Sequence, residues 1–302
     1  MSTFHFPALF WNCPKSEEIV LDGFSLVSRR WDVSIFDLYS LEVGGHMRVP
    51  AGLMDLFLKH VNLEISIEAA DPREAYDLLD ILRAALYAAG MSPTIVPLAT
   101  SHSLNAYAGI NARSSPIRHS SLPDDLSEGI TIHESKVKSW SKELTFSCLR
   151  GDSNETRNCL TSAVFSKAVE DAAVWRRIEE KHAPARIVRG AMNKAPLMPD
   201  ISSSILHIWQ ALESLFRVQS EITHRISLLL AQLLSSTESR ATTYSVARKS
   251  YRDRSRIAHG SESKLEPENW TRAWLLLCNA HKSILSRGGL PSEDDLIREL
   301  LA

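Results

Sequence analysis

The feature of this sequence that constrains its fold most is a change in the spacing of apolar residues near residue 150. In the first half, apolar residues recur in short runs with a spacing of two, which is typical of β-strands. After Gly151 they recur every three or four residues, which is typical of amphipathic helices. The sequence therefore predicts an α+β domain over residues 1–150, followed by an all-α helical bundle over residues 151–302.

Within the α+β part, one helix is marked clearly. Asp71 is a favourable N-cap, Pro72 suits a first turn, and apolar residues continue at helical spacing until Gly90. The short apolar runs predict six strands, at residues 19–21, 32–36, 63–68, 94–96, 106–108 and 130–133. No cluster of acids, bases or nucleophiles marks these segments as an enzyme. A sensor or substrate-guiding role for residues 1–150 is an interpretation by analogy.

The C-terminal part contains a series of helical patterns. Pro184, Pro196 and Pro199 predict a connector over residues 183–200 rather than a helix. The predicted helices are residues 154–181, 202–217, 221–234, 242–259, 268–285 and 291–300. Tryptophans at positions 209, 270 and 274 lie on these helices, and we expect them to fill the bundle core rather than to stack on bases.

Composition excludes several classes of protein. The net charge of −2 and the pI near 6.6 give no global attraction to nucleic acids or anionic membranes. No apolar run approaches the roughly 18 residues of a membrane span, and the N-terminus lacks the pattern of a signal peptide. The cysteines stand singly, as in a cytosolic protein with reduced thiols, at positions 13, 148, 159 and 278. We therefore expect a cytoplasmic protein with no membrane association, no metal and no cofactor.

Charge is nevertheless concentrated in one segment. Between positions 240 and 256 a single acid, Asp253, accompanies six basic residues: Arg240, Arg248, Lys249, Arg252, Arg254 and Arg256. A basic run of this kind is ordinarily a solvated helix face. Here it ends in Ile257-Ala258-His259-Gly260, where glycine favours a helix end and a histidine is favoured by the helix dipole. On this pattern alone, His259 is either a simple C-terminal cap or part of a site.

This segment resembles the HEPN ribonucleases, specifically their ApeA-like branch. Arg254, the polar Ser255 and His259 match the R-x4-6-H signature, and residues 251–260 reproduce the fuller ending Y-x-x-R-S-x-I-x-H-G. Residues 209–216 and 220–222, together with Arg240, are similar to the earlier parts of ApeA-like domains in order and spacing. The resemblance covers about residues 200–285 and leaves the first 150 residues unassigned.

The resemblance implies a metal-independent endoribonuclease that cleaves single-stranded or loop RNA, such as tRNA or mRNA, by attack of the 2′-hydroxyl. It also implies a role in phage defence or as a toxin, and a homodimer in which two motifs face each other and complete one site. A regulatory or antitoxin protein is a further expected partner. Such cleavage requires an acid, a base and positive donors for the phosphate. Histidine at position 259 suits the proton transfers, and the planar guanidinium of Arg254 suits the phosphate.

Helix geometry leaves the choice of arginine open. Five residues along an ideal helix turn by about 140° and rise by about 7.5 Å, so Arg254 and His259 do not share a face. Ser255 and Arg252 lie on the histidine side, and Arg252 satisfies the same signature as a rival. We prefer Arg254 because a polar serine follows it directly. In that interpretation the RNA backbone is contacted by Arg248, Lys249, Arg252 and Arg256.

Three further alternatives remain open. Glu213 matches an acidic position of the family and is either catalytic or part of an ion pair. The helical domain is either an enzyme or a non-catalytic module for dimerisation or RNA binding in a defence or regulatory complex. Least favoured is an N-terminal enzyme for which the helical part is only a scaffold.

Overall fold

The structure is a computed structural model. It describes residues 1–13, 18–28, 33–46, 50–117, 127–136, 148–151, 157–216, 218, 220–236, 238–260 and 265–302, except for the side chains of residues 56 and 62. The chain divides into two compact units. The first comprises Met1–Leu79, Thr94–Phe146 and Asn158–Ser162, and the second comprises Asp80–Pro93, Ser147–Arg157 and Ala163–Ala302.

The first unit contains a four-stranded antiparallel sheet. Its strands are β1 (Ser2–Leu9), β2 (Glu18–Leu21), β3 (Phe24–Ser28) and β4 (Val61–Ala69), in the order β1-β4-β3-β2. Strand β4 pairs on both sides, and its Leu63, Ile65 and Ile67 are fully buried. Gly23, with φ of +73°, adopts the left-handed conformation in the two-residue turn between β2 and β3, a conformation that glycine reaches without steric cost. The sheet confirms the strands predicted at 19–21 and 63–68 and adds β1 and β3, which the sequence analysis missed.

The strand predicted at 32–36 is wrong in its described part. Residues from Ile35 onward form helix α1 (Ile35–Val43), which is followed by α2 (Ala51–Leu58). The cause is a capping box: Ser34 Oγ accepts from the Asp37 amide, and the Asp37 carboxylate accepts from the Ser34 amide. Residue 32 lies outside the described residues.

Three more predicted strands, at 94–96, 106–108 and 130–133, are also wrong. Residues 94–96 lie beside β1 without a ladder, joined to it by the bond from Leu9 N to Ile95 O. Residues 104–107 form a 3-10 helix, which precedes α4 (Ile110–Arg113), and residues 132–134 form a turn. Carbonyls of these segments accept from the buried guanidinium of Arg113, at 2.6 Å for Ala106 and Ala108 and 3.0 Å for Ile130. An arginine therefore replaces the neighbouring strand as hydrogen-bond donor.

The helix predicted after Asp71 is confirmed as α3 (Pro72–Ala88). Asp71 Oδ1 accepts from the amides of Arg73 and Glu74 at 2.8 and 2.9 Å, which satisfies donors of the first turn. Gly90, with φ of +103°, follows the end of the helix. The first turns of α3 belong to the first compact unit, and the segment from Asp80 belongs to the second.

From residue 162 onward the described chain is mainly helical. The helices are α5 (Ser162–Lys181), α6 (Ala183–Lys194), α7 (Ile201–Ser214), α8 (Ile222–Leu233), α9 (Arg240–Ala258), α10 (Pro267–Ser286) and α11 (Glu293–Leu301). Helix α5 begins later than the predicted residue 154, although 152–156 lie outside the described residues. The predicted connector at 183–200 is wrong over α6. Pro184 is compatible with this helix because it lies in the first turn, where a backbone N–H has no carbonyl acceptor within the helix.

The core of the helical part is built around buried tryptophans, as predicted. Trp209, Trp270 and Trp274 are 0%, 2% and 6% exposed. Trp270 Nε1 donates to Ser204 Oγ at 2.7 Å, and Trp209 Nε1 donates to Ser250 Oγ at 3.1 Å. The second bond joins α7 to α9, which also packs against α8 and α10. Helix α9 is thereby fixed on one side and exposes the other.

Candidate nucleic-acid interface and active site

The predicted site lies on α9 and at its C-terminal end. Ser239 caps the helix by accepting from the Thr242 amide at 3.2 Å. At the other end the His259 amide donates to Ser255 O at 3.1 Å, and Gly260 has φ of +67°. The helix end predicted from the glycine is confirmed. His259 is the C-cap residue, and its side chain is exposed.

Arg254 is directed toward helix α7, where it meets Glu213. Its Nη2 donates to Glu213 Oε2 at 3.2 Å, and its Nε lies 3.0 Å from Glu213 Oε1 without the alignment of a hydrogen bond. The two side chains are 29% and 27% exposed. The structure thus brings two of the predicted site residues together as an interhelical ion pair, although they are 41 positions apart.

The guanidinium of this ion pair lies over an aromatic ring, which in turn contacts a second ring. The Arg254 guanidinium carbon lies 5.5 Å from the centre of the Tyr251 ring, a cation–π distance. Tyr251 in turn meets Trp209 edge-on, with ring centres 5.0 Å apart. Burial raises the pKa of the Tyr251 hydroxyl, and the negative charge and hydrogen bond of Glu213 raise it further, against the lowering effect of Arg254. Arg254 is therefore positioned by residues of both α7 and α9.

Sequence reasoning missed Tyr251 and Trp209 as supports of the site. The signal was present in the spacing, since Trp209 and Glu213 are four residues apart on α7, and Tyr251 and Arg254 are three apart on α9. Residues at such spacings share one helix face. What the spacing did not reveal is that these two faces pack against each other.

The predicted RNA-backbone residues lie on the exposed side of α9. Arg248, Lys249, Arg252 and Arg256 are all exposed. They line a cleft of about 430 Å³ together with Tyr244, Ser245 and Asp253. Among the described residues, neither Arg248, Lys249 nor Arg252 forms an ion pair, so their positive charge is available to a ligand.

The single acid of the run is largely neutralised within the protein. Asp253 is 6% exposed, and its Oδ2 accepts from Asn269 Nδ2 at 2.8 Å and from Arg272 Nη1 at 3.0 Å, both on α10. Arg256 Nη1 lies farther away, 3.8 Å from Asp253 Oδ1. The carboxylate that interrupts the basic run is thus oriented toward α10.

His259 and Arg254 do not meet within one chain. In the part that the structure describes, no hydrogen bond joins Arg254 to Ser255 or to His259. Since α9 is regular to Ala258, the two side chains leave it about 140° apart. Ser255 is half-buried and shares the histidine side, as does the exposed Arg252.

The described residues show neither a metal-binding cluster nor a membrane-spanning helix. They contain no group of three or more His, Cys, Asp or Glu residues placed to hold a metal ion. Their helices include none that combines the length and apolar character needed to cross a membrane. The four cysteines are free thiols.

No protein-family model, curated protein or solved structure matches this chain. The observations that bear on the site are its geometry and the resemblance of residues 200–285.

Proposed function

We propose that this protein is a metal-independent endoribonuclease of the HEPN type, acting on single-stranded or loop RNA, with Arg254 and His259 as its catalytic residues. The observation that supports it most is the fixed position of Arg254, which Glu213 and Tyr251 hold five residues before an exposed histidine at a helix end. Structural arginines also form ion pairs, but this one coincides with the signature of the family. Arg254 is not among the residues that line the basic cleft, which lies on the exposed side of α9.

The ion pair leaves Arg254 able to bind a phosphate. A guanidinium carries five N–H donors, and Glu213 occupies the edge formed by Nε and one N–H of Nη2. The remaining donors, on a side chain that is 29% exposed, can reach phosphate oxygens and stabilise the charge that develops during cleavage. Glu213 in this proposal is a positioning residue rather than a proton carrier.

His259 supplies the proton chemistry. A neutral imidazole accepts the proton of the 2′-hydroxyl as this oxygen attacks the phosphorus, and an imidazolium protonates the departing 5′-oxygen. Ser255 lies one turn before the histidine and is placed to orient the imidazole or the phosphate. Because one chain separates Arg254 from His259 by about 140°, a second copy of α9 is needed to bring both groups to one phosphate.

The proposal also covers the biological setting. We propose tRNA or mRNA as the target and a defence or toxin role, in which a regulatory or antitoxin protein restrains an otherwise harmful nuclease. The dimer is tested by light scattering, which should give twice the chain mass of 33.8 kDa.

The activity is tested with total RNA in excess chelator. Removal of a general acid–base typically costs about 10²–10⁴ in rate, and removal of one oxyanion donor about 10²–10³. We expect His259→Ala and Arg254→Ala to lose cleavage on these scales. Arg252→Ala should reduce binding while retaining the chemical step, which distinguishes it from Arg254. Equal cleavage by the wild type, His259→Ala and Arg254→Ala would refute the proposal.

Matched controls remove the same kinds of side chain elsewhere. Arg298 is 78% exposed on α11, and His60 is exposed in the first compact unit. Arg298→Ala and His60→Ala should retain wild-type cleavage. Thermal unfolding of every variant shows whether a lost activity reflects a lost fold.

The second candidate is a non-catalytic RNA-binding or dimerisation module. It is favoured by the exposed basic side chains of Arg248, Lys249 and Arg252, which have no ion-pair partner in the described part of the chain and can bind RNA whether or not His259 reacts. Full physiological activity of His259→Ala would select this candidate over the nuclease.

A further inference from the structure

Five side chains form a continuous line on α9. Tyr244, Arg248, Arg252, Ser255 and His259 follow one another at intervals of four, four, three and four residues, and we refer to them as the α9 stripe. Such intervals keep all five within a sector of about 80° on an ideal helix. From Tyr244 to His259 the stripe extends over about 22 Å at 1.5 Å per residue. At a stacked spacing of about 3.4 Å, this length corresponds to about six nucleotides.

The charge on the stripe has one sign. Arg248 and Arg252 are exposed and have no acidic partner among the described residues. Asp253 lines the same cleft, but its carboxylate is occupied by Asn269 and Arg272. The middle of the stripe therefore presents two free guanidinium groups, which suit successive phosphates of a polyanion.

An aromatic pair stands at the end of the stripe that lies farthest from His259. The Tyr244 hydroxyl and His224 Nδ1 share a hydrogen bond of 3.0 Å, and the two rings meet edge-on with centres 5.9 Å apart. His224 lies on α8 and is exposed, whereas Tyr244 is half-buried and lines the cleft. The hydrogen bond fixes both rings relative to the two helices. Proteins bind unpaired bases by stacking them on aromatic side chains beside basic grooves, and this pair places two such side chains there.

We propose that Tyr244 and His224 form a base-stacking platform, which selects single-stranded RNA by binding one base about six nucleotides from the bond at His259. The phosphates between the two points lie along Arg248 and Arg252. Paired bases are already stacked inside a duplex and cannot use the platform, so it discriminates by strandedness rather than by sequence. This inference rests on the proposed nuclease for the position of cleavage, and on the geometry of the stripe for the binding.

The first experiment measures binding alone. Fluorescent single-stranded and duplex RNAs of about ten nucleotides are titrated against the full chain carrying His259→Ala, with and without Tyr244→Leu. Stacking on one aromatic ring is worth about 1–3 kcal/mol per base, so Tyr244→Leu should weaken single-strand binding by about 5- to 150-fold and leave duplex binding unchanged. Tyr244→Phe keeps the ring and should stay within about two-fold of the parent. Unchanged single-strand affinity, or an equal loss for both RNAs, would overturn the platform.

Two matched controls separate stacking from charge and from folding. Arg248→Ala removes one phosphate contact and should weaken both RNAs while lowering the salt slope by about one. Tyr39 is 59% exposed in the first compact unit, and Tyr39→Leu should alter neither affinity. Thermal unfolding of Tyr244→Leu and Tyr244→Phe shows whether each variant remains folded.

The second experiment uses cleavage by the chain with an intact His259. With Tyr244→Leu, KM should rise for long substrates, stay unchanged for substrates of about three nucleotides, and kcat should change little. An unchanged KM at every length in a cleaving enzyme would overturn the platform and leave the nuclease standing. If the wild type cleaves no RNA while Tyr244→Leu still weakens single-strand binding, the nuclease falls and the platform is upheld.

Discussion

The pair formed by Glu213 and Arg254 gives the sharpest test of how the site is held. Glu213→Ala removes the carboxylate that accepts from Arg254 Nη2 at 3.2 Å and lies 3.0 Å from its Nε. Arg254→Ala removes the other partner, and the double variant removes both. These three variants and the wild type form a thermodynamic cycle, which isolates the coupling between the two side chains.

The size of the coupling follows from the contacts and their exposure. Hydrogen bonds to charged groups contribute about 1.5–3 kcal/mol when buried. The two side chains are 29% and 27% exposed, so solvent screens the pair and we expect about 1–2 kcal/mol. Each single variant should lose about this amount. At about 2–4 °C per kcal/mol, the melting temperature should fall by roughly 2–8 °C.

The assay is urea unfolding followed by circular dichroism, with all four proteins at one pH and ionic strength. A coupling energy below about 0.5 kcal/mol would show that the pair does not hold Arg254, and the reasoning about its position would then be wrong. Arg298→Ala, combined with Glu213→Ala, is the control in which the two losses should simply add.

A further variant, Glu213→Gln, distinguishes positioning from proton transfer at Glu213. If Glu213 only holds the arginine, Glu213→Gln retains one acceptor oxygen, keeps part of the activity and leaves both limbs of the pH–rate profile in place. Loss of one limb in Glu213→Gln would instead make Glu213 the missing acid or base.

Three further predictions concern the core of the helical part. His281 is fully buried against Trp175, and burial lowers its pKa from 6.5 to about 3, so protonation favours unfolding. Stability should therefore fall by about 2 kcal/mol from pH 7 to pH 5, and His281→Phe should remove this fall; an equally steep fall in that variant would contradict the assignment. Ser204→Ala leaves Trp270 Nε1 without its acceptor, whereas the Ala195 carbonyl still accepts from the Met198 amide, so urea unfolding should show a loss of about 1–3 kcal/mol, and a loss below about 0.5 kcal/mol would not fit. Burial raises the pKa of Cys278, so alkylation of the native protein near pH 8 should label one thiol fewer than alkylation after unfolding.

The helices of the second half could be predicted because their signals are local. Amphipathic spacing and caps such as Ser239 and Gly260 operate within a few residues, and the predicted bounds of α7 to α11 lie close to the observed ones. The strand predictions at 94–96, 106–108 and 130–133 failed because a strand requires a partner. In this fold the donor to two of these segments is the Arg113 side chain. The connector at 183–200 failed because proline was weighed without its position in the first turn.

The sequence by itself determined the composition of the candidate site: a basic helix, a histidine at its end, a glycine that stops it and an acid on an earlier helix. Only the tertiary structure decided how these groups are used. Because α9 packs against α7, Arg254 forms an ion pair with Glu213. Because α9 also packs against α10, Asp253 forms an ion pair with Arg272. The physical reason is that helical spacing fixes which residues share a face, whereas the rotation of each helix in the bundle fixes what that face meets.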